Sequence, residues 1–530
     1  MAKVKKAAAV KEERLEDILM SCRNDLRGKA SMTDKRDLLL TLVFLKFLTD
    51  RFDAQTERIK KEYADKPKHL PFKLNNPDSY RKDGVIFLKE DCRWNNLCAI
   101  EPKKRNVELD RVLTYLNQQE KRLKGALPLG IFVHANLEPK VIATVMDDLS
   151  KVDAKRFGEK DLIGRVYEYY LLAFSINADK EEGEFYTPET IVQLIAALLE
   201  PYDGSLFDPC CGSGGMFVQS INVIAAHGGN TSKVTVFGQE SQPDTYRLAK
   251  MNLAVRGISF DLGEHEADSF GDDQHQGKRF KYIMSNPPFN LKRWRGAKEL
   301  LTDSRWKGYG VPPESNANYA WILHMLSKLD QTSGMAGFLL ANGALDDEDT
   351  LEIRKRLIEN DKVEAIIVLP REMFYSTDIS VTLWILNQNK KGGVKNGRKL
   401  RNREHEILFV DLRTWNQNIY EKKFVKFVPE QIAAVQKIFF DWQSGKGWRS
   451  EKGGKYAKPE LYYSATLEEI AERNYSLVPS RYIEFVDRDT ELDYKTALKE
   501  IGGKTAELIK RQSKNAVDLA AAFKALGYGK

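Results

Sequence analysis

A strand that runs into two consecutive prolines can only leave the sheet, because neither proline has an N–H to give to a ladder. Tyr282-Ile283-Met284 followed by Ser285-Asn286-Pro287-Pro288-Phe289 is such an exit. The turn is stiff, so its side chains are held still. The amide oxygen of Asn286 and the carbonyl of Pro287 can together accept both hydrogens of one planar amino group, and Phe289 offers a flat apolar face beside them. Those groups suit a flipped-out base. An exocyclic amine is a poor nucleophile because its lone pair is delocalised into the ring. Two fixed acceptors that draw the nitrogen toward tetrahedral geometry free that pair by electrostatic preorganisation, without acid-base chemistry. Alone, the tetrapeptide is equally readable as a plain strand exit with a buried Phe.

A second stretch lies upstream. Ser205-Leu206-Phe207 reads as a short strand with Asp208 at its carboxyl end, followed by Pro209-Cys210-Cys211-Gly212-Ser213-Gly214-Gly215. The glycines let the backbone turn tightly and approach a ligand. An acidic residue there suits an ammonium or hydroxyl better than a phosphate, and the Lys-Ser/Thr ending of a phosphate loop is absent. The next strand, Val234-Thr235-Val236-Phe237, ends in Gly238-Gln239-Glu240, where a carboxylate can accept both hydroxyls of a ribose. Asp268-Ser269-Phe270 closes a third strand region. Ahead of them all, Gly183-Glu184-Phe185-Tyr186-Thr187-Pro188 enters a helix, with Thr187 as the expected N-cap and Pro188 as its first residue.

Taken in this order, the glycine loop and the Asn-Pro-Pro-Phe turn resemble the motifs of amino-group methyltransferases that use S-adenosylmethionine. With Asn in the second motif, the chain resembles the N6-adenine DNA methyltransferases, specifically the modification subunit of type I restriction-modification systems. The resemblance implies a Rossmann-like α/β methyltransferase sheet, flanked by an N-terminal helical domain and a C-terminal helical tail. It implies that Asn286 and Pro287 hold the adenine amine, in a turn stiffened by Pro288, with Phe289 stacked on the base. Gly183, Glu184, Phe185, Tyr186, Thr187 and Pro188 would lie at the methionine end of S-adenosylmethionine, and Asp208, Gly212, Ser213, Gly214 and Gly215 would form its loop. Glu240 would take the ribose, and Asp268 would lie near the adenine of the cofactor. No metal is implied. The implied partners are duplex DNA, a specificity subunit and a restriction subunit, with two modification subunits per specificity subunit, in a complex that protects host DNA from cleavage.

Other readings use the same tetrapeptide on a protein glutamine or an RNA base, or make the chain a scaffold with a dead pocket. Length and two helical flanks favour DNA, and intact Asn286, Asp208 and Glu240 speak against a scaffold. No target-recognition insert, Walker motif or nuclease motif is visible, so sequence choice and cleavage are expected of other subunits.

A chain of 530 residues is too long for one hydrophobic core. We divide it into an N-terminal helical domain (1–155), a catalytic domain (156–425) and a C-terminal helical region for subunit assembly (426–530). With 83 basic and 76 acidic residues the excess is mild, so the charge that meets DNA is local or shared with a partner. Two basic clusters are candidates: Lys292, Arg293, Trp294, Arg295 and Lys298, and the glycine-rich tip with Lys390, Lys391, Lys395, Arg398, Lys399, Arg401 and Arg403. Either is also readable as a solvated loop. Five cysteines without paired metal spacing fit a reducing compartment, and no apolar run approaches the roughly 20 residues of a membrane span. The cytoplasm is the expected location.

The remaining expectations concern local structure. A helix is expected to start at Thr33-Asp34 and bury residues 38–48, and a strand-like piece is expected at 84–88. Tyr167, Tyr169 and Tyr170 read as core more readily than as a nucleic-acid platform. Residues 382–386 and 407–410 read as an antiparallel pair. Leu498, Ile501, Leu508, Ile509, Val517, Leu519 and Phe523 follow helical spacing, interrupted by Gly502-Gly503, in a tail that the resemblance would join to a specificity subunit.

Overall fold

The computed structural model describes residues 14–157, 162–175, 187–374, 379–417, 419–420, 424–446, 455–486 and 494–525. It forms two compact units, Met1–Ala457 with Leu461–Ile483, and Lys458–Glu460 with Glu484–Lys530. Among the described residues no helix is long and apolar enough to cross a membrane.

The first unit begins with helices. Met32–Glu62 buries an unbroken run from Leu38 to Thr49, so it is surrounded by neighbouring elements and not laid on a surface. Its N-cap is Ser31, whose hydroxyl accepts from the Asp34 N–H at 3.1 Å, two residues before the expected start. The expected strand-like piece at 84–88 does not form: Gly84 (φ +71°) sits in a turn and residues 85–88 belong to no strand, with Val85, Ile86 and Leu88 buried. Tyr167 and Tyr170 are fully buried in helix Leu162–Ser175, and the Tyr170 hydroxyl donates to the Leu19 carbonyl. The core reading of that stripe holds. The same hydrophobic cluster takes in Leu248, Met251, Ala254 and Val255 of helix Pro243–Val255, which seats the helical layer directly against the sheet domain.

The sheet is built on β1 (Gly204–Asp208), β2 (Val234–Gly238), β3 (Phe260–Asp261), β4 (Tyr282–Ser285), β5 (Met335–Ala341), β6 (Val363–Val368) and β7 (Val381–Asn387). Its order runs Tyr462–Thr466, Glu406–Asp411, β6, β7, β5, β4, β1, β2, β3. The neighbours β3, β2, β1, β4 and β5 are parallel, whereas β7 is antiparallel to both β5 and β6. Strands 5, 6 and 7 are buried at every residue because helices cover both faces. Alternation along the strands sends Leu206, Tyr282 and Met284 into one core, with Phe207 and Ile283 in the other. The fold is thus the expected α/β sheet. One pairing differs: Glu406–Asp411 runs parallel to β6, and residues 382–386 sit centrally between β5 and β6.

The order reverses between β1 and β4, because β2 and β3 extend the sheet one way and β5 the other. At such a switch point the two connections diverge and leave a crevice outside the carboxyl ends of the strands. Asp208 ends β1 there, and Ser285 ends β4.

The glycine-rich basic tip is a hairpin, Gly393–Lys395 with Arg398–Leu400, and most of its cations are consumed inside the molecule. Lys390 donates to the Val363 and Glu406 carbonyls, and Lys395 to the Leu199 carbonyl. Burial pushes the Lys395 ammonium down to about 8. Arg398 pairs with Glu200, Arg401 with Glu406, and Arg403 with Glu364. Lys391 and Lys399 are the exposed cations of the tip, and the others are engaged within the molecule. In the other cluster Trp294 is buried, its indole N–H bonded to the Pro313 carbonyl and its ring 4.7 Å from Phe270, so it is no free platform for a displaced base.

In the second unit, Tyr494–Ala525 is one helix of 32 residues that passes through Gly502-Gly503 without a break. Leu498, Ile501, Leu508, Ile509, Val517, Leu519 and Phe523 are exposed along it.

Candidate active site

The site is assembled from loops that leave adjacent strand ends. After β1 the chain turns through Gly212 (φ +54°) and Gly214 (φ +80°), and Gly214 is the N-cap of helix Gly215–Ala226. Left-handed backbone at these two positions is what the glycines permit. The loop is tied to β2: the Cys211 N–H donates to the Gln239 carbonyl at 2.9 Å, and the Gln239 N–H to the Asp208 carbonyl at 3.1 Å.

Asp208 is 2% exposed. Its Oδ1 accepts from Ser285 Oγ at 2.7 Å and from the Cys210 N–H at 3.1 Å, so the loop after β1 is bonded to the last residue of β4. Burial pushes its carboxyl up to about 7, against those hydrogen bonds, which lower it. Burial also pushes the Cys210 and Cys211 thiols well above their ordinary value, which favours the protonated thiol at both.

Glu240 is held in place by the backbone. Its Oε2 accepts from the Gly212 N–H at 3.0 Å and its Oε1 from the Gln242 N–H at 2.8 Å, and its carbonyl accepts from Ala267. Ser241 Oγ also reaches Oε1 at 3.5 Å, so the carboxylate is fixed at the end of β2 by the loop on either side of it. Asp268 follows this tether but is exposed, and its Oδ2 accepts from the Gly271 N–H at 2.7 Å. It lies seven residues beyond the end of β3, in a loop.

Asn286 and Phe289 extend from β4. Asn286 Nδ2 donates to Thr187 Oγ1 at 3.0 Å, whereas Asn286 Oδ1 is buried with no hydrogen-bond partner. A buried acceptor left unpaired costs about 1–3 kcal/mol and calls for an explanation. Phe289 is half-buried and lies edge-on to Phe374, ring centroids 6.4 Å apart. Behind it, Asn290 (φ +53°) exchanges two bonds with Asn318: its N–H donates to Asn318 Oδ1 at 3.0 Å and its Oδ1 accepts from Asn318 Nδ2 at 2.9 Å. That clamp holds the turn to the start of helix Asn318–Lys328.

Thr187 does not cap the following helix. Pro188 is the N-cap of Glu189–Leu199, and the Thr187 hydroxyl is used by Asn286. Gly183, Glu184, Phe185 and Tyr186 lie outside the described residues. The structure thus brings Thr187, Asp208, Gly212, Glu240 and Asn286 to one edge of the sheet. Ser285, Asn318 and Phe374 were not singled out from the sequence. The asparagines of Ser315-Asn316-Ala317-Asn318, just ahead of an apolar helix, were the one available signal for the clamp.

Chemically, the edge pairs two buried carboxylates with open-turn glycines on one side and an unpaired amide oxygen on the other. It suits a cationic, ribose-bearing ligand facing an amine donor. Among the described residues no group of three or more His, Cys, Asp or Glu is placed to hold a metal ion. Glu240→Ala is expected to weaken binding of a ribose-bearing ligand at this edge, with S-adenosylmethionine as the probe, about 10- to 100-fold, since it removes charge-assisted acceptors and unpins Gly212. Calorimetric titration checks it, and an unchanged dissociation constant would remove Glu240 from the ribose.

Comparison with known proteins follows the same lines. The N-6 DNA methylase family model matches residues 158–491, and the HsdM N-terminal domain model matches 15–149. The chain is 40% identical over 370 residues to the type I restriction enzyme HindI methylase subunit of Haemophilus influenzae, covering 68% of this chain and 78% of that one. It is 31% identical over 530 residues to the type I restriction enzyme MjaIX methylase subunit of Methanocaldococcus jannaschii, covering 97% and 91%. In fold it is similar to the type I restriction-modification methyltransferase subunit of Streptococcus thermophilus, with a TM-score of 0.69 at 22% identity over 88% of this chain and 98% of the other.

Proposed function

This chain belongs to the N-6 DNA methylase family as a type I restriction-modification methylase subunit, an enzyme that methylates adenine N6 in DNA; on that premise we propose how its residues divide the work. Asn286 Oδ1 and the Pro287 carbonyl accept the two hydrogens of the adenine amine, Pro288 keeps the turn extended, and Phe289 faces the base. The observation that carries this assignment is the buried, unpaired Asn286 Oδ1, an acceptor with nothing to accept until an amine enters.

The family is of the S-adenosylmethionine-dependent class, and we place that cofactor on the β1–β2 side of the edge. When bound, S-adenosylmethionine supplies a methyl group carried on a positively charged sulfur. Asp208 supplies negative charge under the loop, Gly212, Ser213, Gly214 and Gly215 leave room for close backbone approach, and Glu240 takes the ribose hydroxyls. Asp268 takes the adenine end. Gly183, Glu184, Phe185, Tyr186 and Pro188 are assigned to the methionine end. No strong base is needed, since the methylated amine loses its proton to solvent once the charge has formed. Position and fixed dipoles carry the rate.

The type I context supplies DNA together with specificity and restriction subunits as partners. We infer two copies of this chain per specificity subunit, with the exposed apolar residues of Tyr494–Ala525 as the contact that joins them. The modest charge of +7 fits a grip on DNA shared in that way. The test is to co-purify the chain with a specificity subunit, supply methyl-labelled S-adenosylmethionine and duplex DNA, and identify the labelled nucleoside. Label on adenine N6 that depends on Asn286 supports the assignment; label that survives its removal sinks it.

A pH dependence follows from Asp208. Its carboxyl is raised to about 7, so it gains a proton as pH falls through that value, and a cationic ligand favours the ionised form. Affinity for S-adenosylmethionine is therefore expected to be full above about pH 7 and to fall by up to about tenfold per unit below it. Asp208→Asn should bind weakly and flatten the profile. A wild-type dissociation constant that is level from about pH 8 to 6 would contradict the charge role given to Asp208.

A further inference from the structure

We propose that Thr187 is a positioning residue: its hydroxyl holds the Asn286 carboxamide with oxygen, not nitrogen, turned toward the target amine. The inference deepens the assignment of Asn286 above and rests on it.

A primary amide has nearly the same shape either way round, so packing alone does not choose between its oxygen and its nitrogen. A hydroxyl that ties down one end of the amide can accept from its nitrogen or donate to its oxygen, so the choice falls to the end left facing the pocket. Here Asn286 Nδ2 donates to Thr187 Oγ1 at 3.0 Å, and Asn286 Oδ1 is buried without a partner. The reverse orientation would leave the amide N–H groups as the buried, unpaired end. Stranded donors are tolerated less well than under-satisfied carbonyls. It would also present hydrogens to an amine that needs an acceptor. With Thr187 on the nitrogen and an adenine amine on the oxygen, both ends of the amide are satisfied at once.

The two partners are anchored independently. Thr187 directly precedes Pro188 and helix Glu189–Leu199, whose Ile191, Leu194, Ile195 and Leu198 are buried against the sheet. Asn286 leaves β4 into a turn that is stiffened by Pro287 and Pro288 and clamped at Asn290 by Asn318. The bond therefore joins two rigid elements 99 residues apart in the chain, and it orients the side chain that the chemistry depends on. Resemblance alone assigned Thr187 to the cofactor, and the two roles are separable by experiment.

Thr187→Val keeps the shape and deletes the acceptor; Thr187→Ser keeps the acceptor. Both are measured in the complex with a specificity subunit, for kcat, KM for DNA and the dissociation constant of S-adenosylmethionine. Thr187→Val is expected to lower kcat about 10- to 100-fold with the cofactor constant within about twofold of wild type, and Thr187→Ser to restore most of the loss. A Val variant at wild-type kcat overturns the proposal, and so does a loss of kcat matched by an equal loss of cofactor affinity, which would make Thr187 a cofactor ligand. Asn286→Ala, run alongside, separates the two levels. If it methylates normally, the pocket assignment itself fails; if it is inactive while Thr187→Val is fully active, only the role of Thr187 fails.

Discussion

Asn286→Ala is expected to lower methylation turnover by about 10³-fold while S-adenosylmethionine and DNA still bind within about twofold of wild type. The adenine amine changes most between ground and transition state, from a planar group conjugated with the ring to a pyramidal one bearing positive charge. Acceptors fixed against its hydrogens stabilise the second form more than the first, so removing one raises the barrier more than it weakens binding. The unpaired Asn286 Oδ1 already carries its desolvation cost in the absence of substrate, so no reorganisation is needed when the amine arrives. Losing one such preorganised group in a water-poor site costs about 3–4 kcal/mol. Single-turnover methylation with saturating cofactor isolates the step. If the loss appears instead in the dissociation constant of S-adenosylmethionine, Asn286 belongs to the cofactor wall and the division of the site is wrong.

The parts of this site that were legible in the sequence are those fixed by chain order. In a parallel sheet, ligand residues sit where strands end, so Asp208, Glu240 and Asn286 could be placed from the apolar runs that precede them. What could not be read is every bond that crosses between loops. Ser285 to Asp208, Thr187 to Asn286 and Asn290 to Asn318 span 77, 99 and 28 residues and leave no periodic trace. Pairing between neighbours in sequence also misled: the strands at 382–386 and 407–410 suggested a hairpin, but β7 is central and gains more from burial between β5 and β6. Two glycines at 502–503 looked like a break. Each costs only about 1 kcal/mol relative to Ala, too little to interrupt a helix of that length. Basic residues at 390–403 looked like surface because their carboxylate partners come from elsewhere. Glu200 lies 198 residues from Arg398 in the chain, and Glu364 lies 39 from Arg403.

That last pair yields the largest stability effect. Glu364→Ala is expected to destabilise the sheet domain by about 3–5 kcal/mol, because it leaves the Arg403 guanidinium buried without its counter-charge. Both side chains are fully buried. Glu364 Oε1 accepts from Arg403 Nε at 3.0 Å and from Gln443 Nε2 at 2.9 Å, and Oε2 from Asn387 Nδ2 at 3.2 Å. Arg403 Nη1 also donates to the Arg401 carbonyl at 2.7 Å, which keeps the guanidinium in place after the carboxylate is gone. The cost is that of a stranded charge and not the worth of the pair. A double replacement, Glu364→Leu with Arg403→Met, is therefore expected to recover most of the loss, since two well-packed apolar groups need no partner. Denaturant unfolding of Glu364→Leu, Arg403→Met and the double variant against wild type, with Glu364→Ala alongside, measures it, and the coupling between the sites is the deciding quantity. Losses that simply add in the double variant would mean that the pair is not coupled. Glu364 lies near the start of β6, whereas the candidate site lies at the opposite, carboxyl-end edge of the parallel strands. Methylation by the folded fraction of Glu364→Ala is accordingly expected to match wild type, which separates the strut beneath the sheet from the chemistry above it.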